Sequence, residues 1–109
     1  MTGADPLVAG VPCSPGRARG PARTLRSPDE FHRFQRGDVL VCRTTDPAWT
    51  PLFRLAAAVV TETGGVLSHA AIVAREFGIP AVGGARDATL KLTDGVVVTV
   101  DGTAGQVLR

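Results

Sequence analysis

The chain has 109 residues, 44% of them hydrophobic and 20% charged, with a net charge of +2. That length makes one domain and is too short for two independent cores; the composition excludes a disordered or collagen-like chain. So small a net charge gives no argument for nucleic acid or a membrane surface, and no apolar run approaches the ~18 residues of a membrane span.

Met1 to Ala9 reads as a loose leader, small and without periodicity, and residues 10–109 as the domain. The opening stretch lacks the basic segment and apolar core of a secretory signal. Cys13 and Cys42 match no metal spacing, so reduced thiols and a cytoplasmic location are expected. Gly10 to Arg19 is turn-rich, with a tight turn at Ser14-Pro15-Gly16. Eleven of the twelve basic residues are arginine; those at 17, 19, 23 and 26 read as a solvated face rather than a phosphate patch.

Gly20 to Arg26 is the first expected strand. Ser27 then caps a short helix with Pro28 at its first position and acids in its first turn; Phe31 and Phe34 share its inner face, and Gly37 stops it. Asp38 to Arg43 is a strand whose near-continuous apolar run implies burial on both faces. A loop from Thr44 leads to a second helix opened by Pro51. Ala58 to Thr61 is another buried strand, running straight into Gly64-Gly65.

Ser68 to Phe77 is the main helix, stopped by Gly78 and Pro80. On it Ala70, Val73, Ala74 and Phe77 share one face, with Ile72 beside it, and Arg75 and Glu76 point away. A short strand at Ala81-Val82, a polar turn, and strands at Val96 to Asp101 and Gln106 to Arg109 complete the chain. Alternating strands and helices make this an α/β layered domain.

The chemistry concentrates where the glycines meet the main helix. Ser68 has the N-cap residue type, which puts His69 at the first helical position. The helix dipole and first-turn amides favour an anion there, and the same positive potential opposes a positive charge on the ring. The glycines remove bulk, so another molecule's phosphates can approach closely. A histidine that takes up a phosphoryl group wants all three conditions. Spacing alone leaves equally open a His69 that merely caps the helix. No second histidine at helical spacing supports a metal site, Ser68 lacks a nucleophile elbow, and no nucleotide-binding glycine motif is present.

Gly64-Gly65-Val66-Leu67-Ser68-His69-Ala70-Ala71-Ile72-Val73-Ala74-Arg75 closely resembles the phosphohistidine signature of the mobile domain of PEP-utilising enzymes. That family includes PEP synthase, pyruvate phosphate dikinase, rifampicin phosphotransferase and the PTS enzyme I. The match continues through Glu76-Phe77-Gly78-Ile79-Pro80-Ala81-Val82. Upstream it includes Gly37-Asp38-Val39-Leu40-Val41 and Thr45-Asp46-Pro47-Ala48-Trp49-Thr50-Pro51-Leu52-Phe53, and Ser14-Pro15-Gly16, Asp101-Gly102 and Gly105 also fit.

The resemblance implies a swivelling β/β/α three-layer domain whose histidine carries a phosphoryl group between two distant active sites. His69 would be the carrier through Nε2. Gly64, Gly65 and Ser68 would shape the loop and steady the phosphoryl oxygens, with Thr63 and Arg75 in support. For Arg75 a structural salt link to a nearby acid is equally open. An ATP-grasp domain would load His69 from ATP, releasing AMP and phosphate, and an acceptor-binding domain for pyruvate or another small molecule would unload it.

The resemblance thus implies ATP and Mg²⁺ at the partner, and no cofactor or metal on this chain. Leu67 stands where the dikinase and enzyme I have threonine, so hydroxyl-based regulation there is not expected. The leucine form is nearer to the rifampicin phosphotransferase and PEP synthase branch. The chain reads either as a separately encoded carrier subunit or as a domain cut from a larger enzyme, with Met1 and the short leader favouring the subunit. The alternative is a non-phosphorylated swivelling subunit that closes over a partner enzyme's active site, as in aconitase-like dehydratases.

Overall fold

A computed structural model describes residues 5–109. In chain order these form β1 (Val8–Ala9), β2 (Val11–Ser14), β3 (Arg17–Thr24), a 3₁₀ turn at Pro28–Arg33, β4 (Val39–Cys42), a second 3₁₀ turn at Pro47–Trp49 and α1 (Thr50–Phe53). Then come β5 (Ala58–Thr61), α2 (His69–Phe77), β6 (Ala81–Gly83), α3 (Ala88–Lys91), β7 (Val97–Asp101) and β8 (Gln106–Leu108). Among the described residues no helix is long and apolar enough to cross a membrane.

The strands lie in the order β1-β8-β7-β3-β4-β5-β6-β2. β3, β4, β5 and β6 run parallel, while β7, β8 and β1 form an antiparallel half. β3 belongs to both halves: Arg17 to Pro21 pair with β7, and Ala22 to Thr24 pair with β4.

Period-two alternation sorts the side chains of the central strands into two cores. Leu40, Cys42 and Val59 pack with Phe53 and with Ala70, Ala71, Val73 and Ala74 of α2. Val39, Val41, Ala58 and Val60 pack with Val98, Val100, Val107 and Val8 of the antiparallel half. The parallel half is therefore a middle layer, with helices on one face and the second sheet half on the other. This is the expected β/β/α arrangement, and it explains why β4 and β5 carry apolar runs without alternation.

Several local expectations are corrected. The end of the supposed leader is part of the fold: Val8 is buried and pairs with Val107 across β1 and β8. Residues 1–4 of that leader lie outside the described residues. The turn-rich stretch from Gly10 contains an edge strand, β2, whose register shifts between Pro12 and Ser14. An edge is where a strand tolerates proline.

The helix after Ser27 is a 3₁₀ turn. The Ser27 side chain makes no capping bond, and the Glu30 carboxylate instead accepts from the Arg26 amide at 2.6 Å. Phe77, placed on the inner face of α2 by its spacing, remains 39% exposed, stacked on Phe53 with ring centroids 6.5 Å apart. α3 stands where the sequence predicts a polar turn. It has no apolar period of its own, and its Thr89 amide and hydroxyl both donate to the Glu62 carboxylate after β5. A helix held by a distant carboxylate leaves no local signal.

Candidate functional site

The site lies beyond the carboxyl ends of β4 and β5, where open α/β sheets leave room for ligands. Two loops meet there. After β5, the chain turns through Gly64, whose φ of +95° is a conformation that only glycine adopts without strain. A Cβ on Gly64 would also lie 2.8 Å from the Cβ of Ser68. Gly65 differs: beyond its chain neighbours, a Cβ there would meet no atom of the described residues within 4 Å. Its lack of a side chain serves no contact within the described structure.

Ser68 is the N-cap of α2, as its residue type predicts. Its amide donates to the Gly65 carbonyl at 3.0 Å, and its Oγ accepts from the Ala71 amide at 3.2 Å. His69 follows as the first residue of the helix, half-buried. At the other end Gly78 closes α2 in the left-handed conformation, its amide donating to the carbonyls of Ala74 and Arg75.

The second loop, after β4, holds the ring. Thr45 is 9% exposed, and its Oγ1 shares a hydrogen bond of 2.8 Å with Nδ1 of His69. Thr50 Oγ1 lies 3.5 Å from Nε2, at the outer limit of hydrogen bonding. Phe53 stands edge-on to the imidazole, with centroids 6.1 Å apart and planes at 90°. One ring nitrogen is therefore engaged strongly and the other is not.

This loop is itself fixed. Asp46 caps the 3₁₀ turn by accepting from the Ala48 amide at 2.9 Å, and Trp49, Leu52 and Phe53 are buried beneath it. Thr45, Thr50 and Phe53 were not singled out from the sequence. The signal for them was the Thr45 to Phe53 stretch of the family resemblance, which assigned them no role.

Of the two supporting residues expected, neither reaches the imidazole through a hydrogen bond. Thr63 ties the loops together, its hydroxyl donating to the Arg43 carbonyl at 3.1 Å. Arg75 makes no salt bridge among the described residues. Its guanidinium instead donates to the carbonyls of Cys13 and Val66, each at 2.7 Å. One arm reaches β2 and the other the glycine loop, so Arg75 pins that loop to the body of the domain.

Beneath the site, burial pushes the Cys42 thiol up to about 12, and the nearby Glu62 carboxylate adds to the rise. Burial also raises Cys13, opposed by a Gly83 backbone hydrogen bond and by Arg75. Both cysteines are buried and unpaired, and such raised thiols are poor nucleophiles. Among the described residues, no group of three or more His, Cys, Asp and Glu is placed to hold a metal ion. The arrangement presents an immobilised imidazole with one uncommitted nitrogen at the positive end of a helix.

Comparison with known proteins gives the family. The family model described as the PEP-utilising enzyme, mobile domain, matches residues 34–105. The chain is 54% identical over 100 residues to the uncharacterized phosphotransferase YvkC of Bacillus subtilis, covering 92% of this chain and 12% of the relative. It is 54% identical over 102 residues to the phosphoenolpyruvate synthase of Aeropyrum pernix, covering 93% and 12%. Against the rifampicin phosphotransferase of Streptomyces sviceus it is 43% identical over 103 residues, covering 94% and 12%. The chain thus spans about an eighth of the length of these curated relatives.

Among solved structures, an Enzyme I protein (nEIt) matches with a TM-score of 0.60 and 35% identity over 67% of this chain and 30% of that one. The aconitase X of Thermococcus kodakaraensis matches with a TM-score of 0.69 over 93% of this chain and 95% of that one. At 20% identity it shares the fold alone. The fold, the loop at His69 and the family match converge: the chain belongs to the mobile-domain family of PEP-utilising enzymes.

Proposed function

We propose that the chain is the phosphoryl carrier of a dikinase-type phosphotransferase, with Nε2 of His69 as the carrying atom. The observation behind this is the asymmetry of the ring. Thr45 holds Nδ1 at 2.8 Å, while among the described residues Nε2 has no bond shorter than 3.5 Å. With the proton on Nδ1 and shared with Thr45, the Nε2 lone pair is available.

In the loading step Nε2 attacks the phosphorus of a phosphoric anhydride. With ATP as donor the N–P bond forms at the β-phosphorus as the P–O bond to AMP breaks, and AMP leaves with the electron pair. Water then takes the terminal phosphate, so that one phosphoryl group stays on Nε2 and AMP and phosphate are released. In delivery an acceptor oxygen attacks the same phosphorus and the N–P pair returns to Nε2. The Ser68 hydroxyl and the first-turn amides of α2 face the phosphoryl oxygens, and Gly65 leaves the space through which donor and acceptor approach.

Donor and acceptor sites belong to other domains or subunits: an ATP-grasp domain holding ATP and Mg²⁺, and a domain binding the small-molecule acceptor. The names of the relatives, phosphotransferases and PEP synthases several times longer than this chain, support that division. The work is placed in the cytoplasm, where ATP is supplied and where unpaired thiols stay reduced.

The test is intact mass at alkaline pH after incubation with the ATP-grasp partner, ATP and Mg²⁺. An acid-labile gain of one phosphoryl group, lost in His69→Ala, is the expected result. A gain that persists in His69→Ala removes His69 as the carrier. An active partner that loads nothing, from ATP or from PEP, removes phosphotransfer and leaves a closing subunit as the reading.

A further inference from the structure

The carrier reading leaves one group beside the reacting nitrogen without a role. The Thr50 hydroxyl is 3.5 Å from Nε2, too far to tie up the lone pair, and among the described residues it makes no shorter hydrogen bond. Thr45, the other threonine at the ring, is committed to Nδ1. Two hydroxyls bracket one imidazole, and only one of them is in use.

Thr50 is also held in place. It opens α1, its amide donates to the Pro47 carbonyl, and Pro51 follows it in the first turn. Leu52 and Phe53 of the same short helix are buried, and Phe53 lies edge-on to the imidazole. The hydroxyl and the ring therefore keep their relation without help from a ligand. A phosphorus bonded to Nε2 carries its oxygens into the space that Thr50 Oγ1 borders. Those oxygens are anionic acceptors and a threonine hydroxyl is a donor, so the bond that Nε2 itself is too distant to receive is available to them.

We propose that the Thr50 hydroxyl donates to the phosphoryl group carried on Nε2 of His69, and so sets how far the loading equilibrium lies toward the phosphorylated protein. The inference rests on the carrier reading. Thr50 exchanges no atom in either transfer step. It makes its bond only after the N–P bond has formed, so it stabilises the phosphorylated state over the empty one. A hydrogen bond to a charged group is worth enough to shift that equilibrium about tenfold.

The experiment measures the fraction of phosphorylated protein at equilibrium with the ATP-grasp partner, ATP, AMP and phosphate, for the unaltered protein, Thr50→Val and Thr50→Ser. Thr50→Val is expected to need about a tenfold higher ratio of ATP to products for half-loading, and Thr50→Ser to restore the original ratio. Nitrogen NMR of His69 in the empty protein should be the same in all three, because the 3.5 Å approach fixes no tautomer. Should valine disturb α1, Thr50→Ala makes the same test.

An unchanged half-loading ratio in a folded valine or alanine variant overturns the inference and leaves the carrier reading standing. A shifted ratio accompanied by altered His69 nitrogen signals also overturns it, since the effect would then come from the ring's own position. An unaltered protein that takes no phosphoryl group at His69 ends the carrier reading itself, and this inference with it.

Discussion

The two loops that meet at His69 are built in opposite ways. The segment after β4 arrives with Trp49, Leu52 and Phe53 buried, while the segment after β5 arrives with Val66 50% and Leu67 82% exposed. One side grips the imidazole through Thr45 and Phe53. The other is backbone shaped by Gly64, pinned by Arg75 at a single carbonyl and bare toward solvent. A group that must be held still and yet be reached by other molecules needs both: packing supplies the first, and an unpacked glycine loop the second.

Substitutions on the packed side should act on stability. Phe53→Ala removes a fully buried ring and is expected to cost about 3–5 kcal/mol in urea unfolding. A loss under 1 kcal/mol would mean that the grip on His69 does not come from this core. Gly64→Ala should cost more than about 1 kcal/mol, because it combines a positive φ with a clash against Ser68. Its neighbour supplies the contrast. Gly65→Ala should leave the unfolding midpoint in place and, under the proposed carrier function, slow phosphoryl loading through the added methyl.

Cys42, under the packed loop, gives a pH test. Its thiol rises from 9.0 to about 12 in the folded chain, so the unfolded state loses its proton first. Stability from this group is full below about pH 9 and is lost as the pH climbs toward 12. Ellman's reagent at pH 8 should label the native thiol far more slowly than the unfolded one. Fast native labelling would show that the packed side opens. The smallest effect belongs to the bare side: Leu67→Ser should change stability by no more than about 0.5 kcal/mol. Any cost of that change should appear in loading by the partner, measured as a raised KM.

The loop and the helix start at His69 were legible because their causes are local. Gly64 is needed for its φ, Ser68 caps through its own hydroxyl, and both sit next to the residue they serve. The burial of β4 and β5 on both faces was legible for a similar reason, since an unbroken apolar run leaves no polar side to face water. Thr45 and Thr50 were not legible as partners of the ring. They lie 24 and 19 residues from His69, and a threonine before an Asp-Pro turn has ordinary local uses. For Arg75 the sequence left open support of the glycine loop or a salt link to an acid; its fork bonds two carbonyls, one on that loop and one on β2, which only the fold brings together. α3 and β1 leave no local signal because each is held by something distant, a carboxylate after β5 and the last strand of the chain.

By itself the sequence determined an α/β domain, the two buried parallel strands, the capped helix and the histidine at its start, because backbone dihedrals, capping and hydrophobic period act over a few residues. The tertiary structure alone decided which nitrogen of His69 is engaged, what holds the ring, and that Gly65 faces open space. Those depend on which distant loop the parallel sheet brings to the same edge, and pairing of β4 with β5 is a long-range choice that no local pattern encodes.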